Sequence, residues 1–131
     1  MRPFIAPILI AALAACCISG CDSGIPRYDV SGTVTFNGVP VERGEVSLVP
    51  QDPKMAPDGG LIENGKFHFV ATAGKKTVQI RGARLVPSER QEPDMSPSYE
   101  DYIPAQFNRD SALQAEVAPN NDNQFTFDLT P

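Results

Sequence analysis

The chain has no tryptophan, a single histidine, and no cysteine beyond residue 21. Each absence removes a class of function. His68 has no second imidazole to share a metal with, and Cys16, Cys17 and Cys21 all sit at the N-terminal end. No HExxH, HxH or GxSxG spacing occurs, and Gly59-Gly60 with Gly65 lack the following helix that a phosphate-cradling loop needs. The reading assigns no catalytic residue, no metal ligand and no cofactor. Past residue 21 neither a disulfide framework nor a cysteine zinc site is available, so the body of the chain must hold by burial. Basic residues are scarce too, 11 against 16 acidic ones, for a net charge of −5. That balance argues against nucleic acid, whose phosphates demand a basic surface.

What the chain has is alternation. In Tyr28 to Phe36 the residues Tyr28, Val30, Gly32, Val34 and Phe36 share one parity, and Asp29, Ser31, Thr33 and Thr35 the other. A period of two sets one face against a core and the other in water, the pattern of a half-buried strand. Asn37-Gly38 follows, a dipeptide suited to the positive φ angles of a tight hairpin. Val39, Val41, Val46 and Leu48 resume the apolar side. Pro40 and Gly44 interrupt it, which predicts a bulge or longer connection rather than a clean two-residue hairpin.

The rest of the chain continues in this style. Pro50 to Gly60 reads as a loop ending in an Asp58-Gly59-Gly60 turn, and Leu61-Ile62 as the start of a short strand. Asn64-Gly65 is a second hairpin signal, after which Phe67, Phe69 and Ala71 face inward around an exposed His68. Gly74-Lys75-Lys76 reads as a turn, and Thr77 to Ala83 as a strand with Val78 and Ile80 inward. Arg84 to Asp101 breaks the rhythm with Pro87, Pro93 and Pro97 among carboxylates, a composition unsuited to a central strand. Leu113, Ala115 and Val117 mark another strand, Pro119 to Asn123 a polar turn, and Phe125, Phe127 and Leu129 the last strand. About seven strands with thirteen prolines, ten glycines and no helix after the leader predict an all-β antiparallel sandwich.

Residues 1–20 read as a targeting segment. Arg2 supplies its positive charge and Phe4 to Ala15 an uncharged apolar run, too short to cross a membrane comfortably. It closes on Ile18-Ser19-Gly20-Cys21, which resembles the bacterial lipobox, where a small-residue pair precedes the cysteine whose sulfur takes a diacylglyceryl group. Leu13-Ala14-Ala15-Cys16 also fits. Cys21 is preferred, with Cys16 as the alternative, because the polar tether begins directly after Cys21. An ordinary secretory leader or a single-pass anchor are the other readings of this segment. The expectation is a signal peptide over 1–20, a lipidated tether over 21–27 and a domain over 28–131. Several acyl chains on one residue, palmitate among them, would hold the protein stably to a membrane. The expected location is the cell membrane or outer membrane, facing the periplasm or the exterior.

Two oxygen-rich groups, Asp52 with Asp58 and Glu63, and Asn120 to Asn123, have calcium-compatible chemistry but no EF-hand spacing, and read better as turns. His68 reads as a solvated strand residue. The excursion carries Met95, Tyr99 and Tyr102 among its carboxylates. Tyrosines on a loop suit contact with a protein or sugar, so these three are the candidate partner-contact residues.

The motifs VSGTVTFNGVPVERGEVSLVP, ENGKFHF and AGKKTVQIRG, in that order, resemble the carboxypeptidase regulatory-like domain. The matching positions are Gly32-Thr33-Val34, Pro40-Val41, Gly44, Gly65 to Phe69, Gly74 and Thr77-Val78. Ala73 stands where that pattern has proline, and Lys76 where it has tyrosine. The tail IPAQFNRDSALQAEV is similar to that of small lipoproteins common in planctomycetes. The resemblance spans about Val30 to Leu129. It implies a transthyretin-like, seven-stranded prealbumin-type (Ig-like) sandwich acting as a non-catalytic accessory module. The expected partner of such an anchored domain is an envelope protein, with a glycan such as peptidoglycan as the alternative.

Overall fold

Strand β1 (Arg27–Phe36) buries Val30 and Val34 completely, as its alternation predicts. Asn37 (φ 54°) and Gly38 (φ 79°) then turn the chain so that Phe36 pairs directly with Val39. The connection is therefore a clean two-residue hairpin, not the expected bulge. Its return strand β2 (Val39–Pro40) is only two residues long: the Val41 N–H still donates to the Val34 carbonyl, but Gly65 then takes over, its N–H donating to the Val41 carbonyl and its carbonyl accepting from the Val34 N–H. Val39 is 64% exposed and does not rejoin the core, whereas Val41, Val46 and Leu48 do.

This is a computed structural model, which describes residues 24–87 and 97–131. The expected signal segment with Cys16 and Cys21, and Met95 of the excursion, lie outside the described residues. The remaining strands are β3 (Arg43–Pro50), β4 (Asp58–Glu63), β5 (Lys66–Thr72), β6 (Gly74–Val86), β7 (Ser98–Asp101), β8 (Gln114–Val117) and β9 (Asn123–Leu129). One short 3-10 turn, Ala105–Phe107, is the only helical element among the described residues.

Three stretches depart from expectation. Asp58-Gly59-Gly60 is not a turn but the first half of β4. A Cβ on Gly59 would lie 2.4 Å from the Val46 carbonyl oxygen, and one on Gly60 2.9 Å from the Phe69 ring, so the glycines mark close approach within the sheet. Gly74-Lys75-Lys76 is likewise strand, and Lys76 is buried. The excursion is not wholly irregular: β6 runs on to Val86, and β7 returns beside it, pairing Arg84 with Glu100 and Leu85 with Tyr99.

The strand order is β2-β1-β5-β4-β3-β6-β7, with β9 on the other side of β1 and β8 beside β6. Every pairing is antiparallel except β1–β9, where first and last strands run parallel from Val30↔Asn123 to Phe36↔Leu129. That parallel pair, and the nine strands among the described residues, correct the expectation of about seven strands, all antiparallel. β4 and β5 share only Glu63↔Lys66 beside the Asn64-Gly65 turn (φ 51° and 76°), so the sheet bends sharply between them. The result is a largely antiparallel sheet curled into a half-barrel. Val30, Val34, Phe67 and Leu129 on one flank meet Leu48, Ile62, Val78 and Ile80 on the other in a single core. Fully burying each such side chain is worth about 1.5–3 kcal/mol, which is how the domain holds without a disulfide.

Candidate functional site

Three places among the described residues carry organised chemistry. The first is the β6–β7 ribbon, which forms a small ladder of its own at one end of the sheet. Arg84 Nε and Nη2 both reach Glu100 Oε1 at 2.7 Å, a forked ion pair on the ribbon's surface. Leu85 and Tyr99 face each other across it and remain 58% and 46% exposed. The Arg43 guanidinium lies 4.9 Å from the Tyr99 ring centroid, a cation–π contact that steadies an exposed aromatic ring.

Tyr102 behaves differently. Its ring meets Phe36 edge-on at 5.7 Å, and its N–H donates to the Gly82 carbonyl. Gly82 allows this closure, since a Cβ there would come within 2.8 Å of Ile103 and 3.2 Å of the Tyr102 ring. Burial raises the Tyr102 pKa above its ordinary value, the nearby Glu42 carboxylate adds to the rise, and Arg84 opposes it. Of the expected contact residues, Tyr99 is therefore presented outward, Tyr102 packs into the fold, and Met95 lies outside the described residues.

The second place is a trough of about 940 Å3 on the outer face of β9, β1 and β5. Gly32 lies on its floor, and hydrogen-bonding side chains border it: Ser31, Thr33, His68, Gln124 and Thr126. Ser31 sits between His68 and Gln124, and Thr33 between Lys66 and Thr126, so these polar side chains form a regular grid, and Leu61 and Glu63 of β4 with Phe67 and Phe125 complete the lining. His68 is exposed, as expected, with Asp29 Oδ1 3.5 Å away.

The third is a buried polar chain. Asp58 Oδ1 accepts from Arg27 Nη1 at 2.7 Å, and its Oδ2 accepts from the Thr72 N–H at 3.0 Å. The Thr72 hydroxyl in turn accepts from Lys76 Nζ at 2.6 Å. Asp58 thus serves a structural network and is not free to join Asp52 and Glu63 around a cation. Asn120 and Asn123 fulfil the turn reading: Asn120 Oδ1 accepts from the Asp122 N–H, and the Asn123 amide bridges Ala118, Asn120 and Asp29. Sequence reasoning missed the Arg27–Asp58–Thr72–Lys76 chain. Its one visible signal was Lys76 at a position where the resembling pattern has tyrosine.

These observations define an all-β domain with a projecting ribbon and a polar trough. No family model matches the chain, and no curated protein matches it. Two solved structures do. One is a DUF3823 family protein from Parabacteroides merdae, 12% identical, with a TM-score of 0.45, covering 82% of this chain and 48% of its own. The other is a 9R-lipoxygenase from Cyanothece, 18% identical, with a TM-score of 0.33, covering 79% of this chain and 16% of its own. The chain thus spans about half the length of the first and a small part of the second, and likeness at this level assigns neither family nor activity.

Proposed function

We propose that the protein is a lipid-anchored, non-catalytic module of the bacterial cell envelope, held by Cys21 and contacting an envelope protein through the β6–β7 ribbon. The observation that carries the reading is the exposed Leu85–Tyr99 pair, with Arg43 stacked on the ring and charged neighbours around it. An aromatic with arginine and a polar rim is the composition of a protein-contact patch. The proposal extends to the fold: the domain is a two-layer sandwich of the transthyretin type, β9-β1-β5 over β4-β3-β6-β8. The bend at β4–β5 and the single core between the flanks support it.

The test uses the full-length chain tagged at its C-terminus, crosslinked in intact cells and extracted in detergent. A stoichiometric protein partner is expected with the native chain, and loss of that partner with a Leu85→Ser, Tyr99→Ala double variant. Retention of the partner by the double variant overturns the ribbon as the contact. Cys21→Ser is expected to leave the membrane fraction. If it stays, the anchor is elsewhere.

A second reading has its own support. The trough on β9, β1 and β5 offers hydroxyl, amide, imidazole and ammonium groups in a row, the donors and acceptors that a glycan uses. Peptidoglycan fragments or a polysaccharide would be the ligand class. Binding to a glycan panel that His68→Ala with Gln124→Ala abolishes would favour it. A blank panel removes it.

A further inference from the structure

Strand β9 has β1 on one side and no sheet neighbour on the other among the described residues. Alternate residues of such an edge leave their N–H and C=O groups unpaired. Long edges normally carry lysine, proline or a bulge that blocks further pairing. Of the other outer strands, β7 and β8 have four residues each and β2 has two, while β4 and β5, open beyond Glu63↔Lys66, carry Gly59-Gly60 and Lys66. β9 has seven residues, NQFTFDL, without proline, lysine or interruption. Its single charge, Asp128, accepts a hydrogen bond from Thr35 Oγ1 at 2.8 Å on its own sheet.

The strand is also complementary to itself. Run antiparallel against a second copy and centred on Thr126, Gln124 falls opposite Asp128, and Phe125 opposite Phe127, in both directions. All seven residues then pair. A shift by two residues one way sets Asp122 against Asp128, like charges face to face, and centring on Asp128 does the same with itself. A shift of two the other way, onto Phe127, leaves only five of the strand's residues opposite one another. Phe125 and Phe127 are half-buried and stacked at 6.0 Å, in a row that continues to Phe67. A second copy would extend this row and cover the rings at the edge, with the cross-strand aromatic pairs that stabilise sheets.

We propose that the protein is a two-fold dimer joined by antiparallel β9–β9 pairing about Thr126, one sheet passing through both copies. The partner is a second copy of this chain, because this edge fits its own sequence in one register and excludes the neighbouring ones by charge or by lost overlap. The inference is independent of the function proposed above.

The full-length chain in detergent, with micelles in excess over protein, tests it by native mass spectrometry and sedimentation at about 20 µM. Two copies per particle are expected. Thr126→Lys sets two ammonium groups opposite each other, and Thr126→Asp two carboxylates, so each variant alone should be single, with the dimer dissociation constant raised at least tenfold. Mixed one to one, they should recover particles holding one copy of each. Far-ultraviolet circular dichroism spectra that match the native chain in both variants show that the fold is kept and only association was touched. A native chain that stays single, variants that still pair, or a mixture that stays single each overturn the proposal. A chain that pairs only after residues 1–23 are removed overturns it as well, because that segment then occupies the edge.

Discussion

Asp58→Ala isolates what the buried polar chain contributes. The Asp58 side chain is 3% exposed, and it accepts from both Arg27 and the Thr72 backbone. Two losses follow from its removal, and they differ in size. The Arg27 side chain is 53% exposed, so its ion pair is screened by water and is worth less than about 1 kcal/mol. The Thr72 N–H is buried and loses its only acceptor. An orphaned buried donor costs about 1–3 kcal/mol. The expected loss is roughly 1–4 kcal/mol, or about 4–16 °C in melting temperature for a domain of this size. Urea unfolding followed by far-ultraviolet circular dichroism at pH 7 measures it. Asp128→Ala is the control, since that carboxylate also accepts from a threonine hydroxyl but is exposed. Its loss should stay within about 0.5 kcal/mol. If Asp58→Ala costs no more than Asp128→Ala, burial is not what gives the network its weight, and the reasoning fails.

Gly32→Ala places a Cβ 2.0 Å from the Phe125 carbonyl oxygen, so β9 must move off β1. A loss of about 3 kcal/mol is expected, with early amide exchange in residues 123–129. Gly38→Ala meets nothing within 4 Å, so only its φ of +79° opposes it, and about 1–2 kcal/mol should be lost in the same unfolding assay. Tyr102 holds its proton above the ordinary pKa, so between that value and its raised one the folded chain binds more protons than the unfolded chain. Its contribution is complete below pH of about 10 and declines as pH rises beyond it. Tyr102→Phe should flatten that alkaline decline in a series of melts from pH 8 to 12. Tyr99→Ala should change stability by less than about 0.5 kcal/mol in neutral melts while removing partner capture, because its ring is exposed.

Strands whose cores are built from alternation were legible. β1, β5 and β9 could be read from the parity of their valines and phenylalanines, and both Asn-Gly turns from their demand for positive φ. Other strands were hidden because their residues are chosen for tertiary reasons. Gly59-Gly60 reads as a turn locally, but β3 and Phe69 approach so closely that only glycine fits. Lys76 reads as a turn lysine, yet its ammonium is taken up by Thr72 inside the fold. The parallel β1–β9 pair joins residues more than ninety positions apart, and no local pattern encodes the direction of such a pairing. At the candidate site, the exposure of Tyr99 followed from its polar surroundings. The partial burial of Tyr102 was not legible, because Gly82 and Phe36, against which it packs, are remote in sequence.

The central claim is that an anchored domain meets its partner through the β6–β7 ribbon. Photo-crosslinking in intact cells tests it most directly, with a benzophenone side chain at Tyr99 and, for comparison, at the exposed Val70 on β5. One discrete protein adduct is expected from position 99, found in the membrane fraction, absent from position 70 and lost with Cys21→Ser. No adduct at position 99, or the same adduct from position 70, would contradict it.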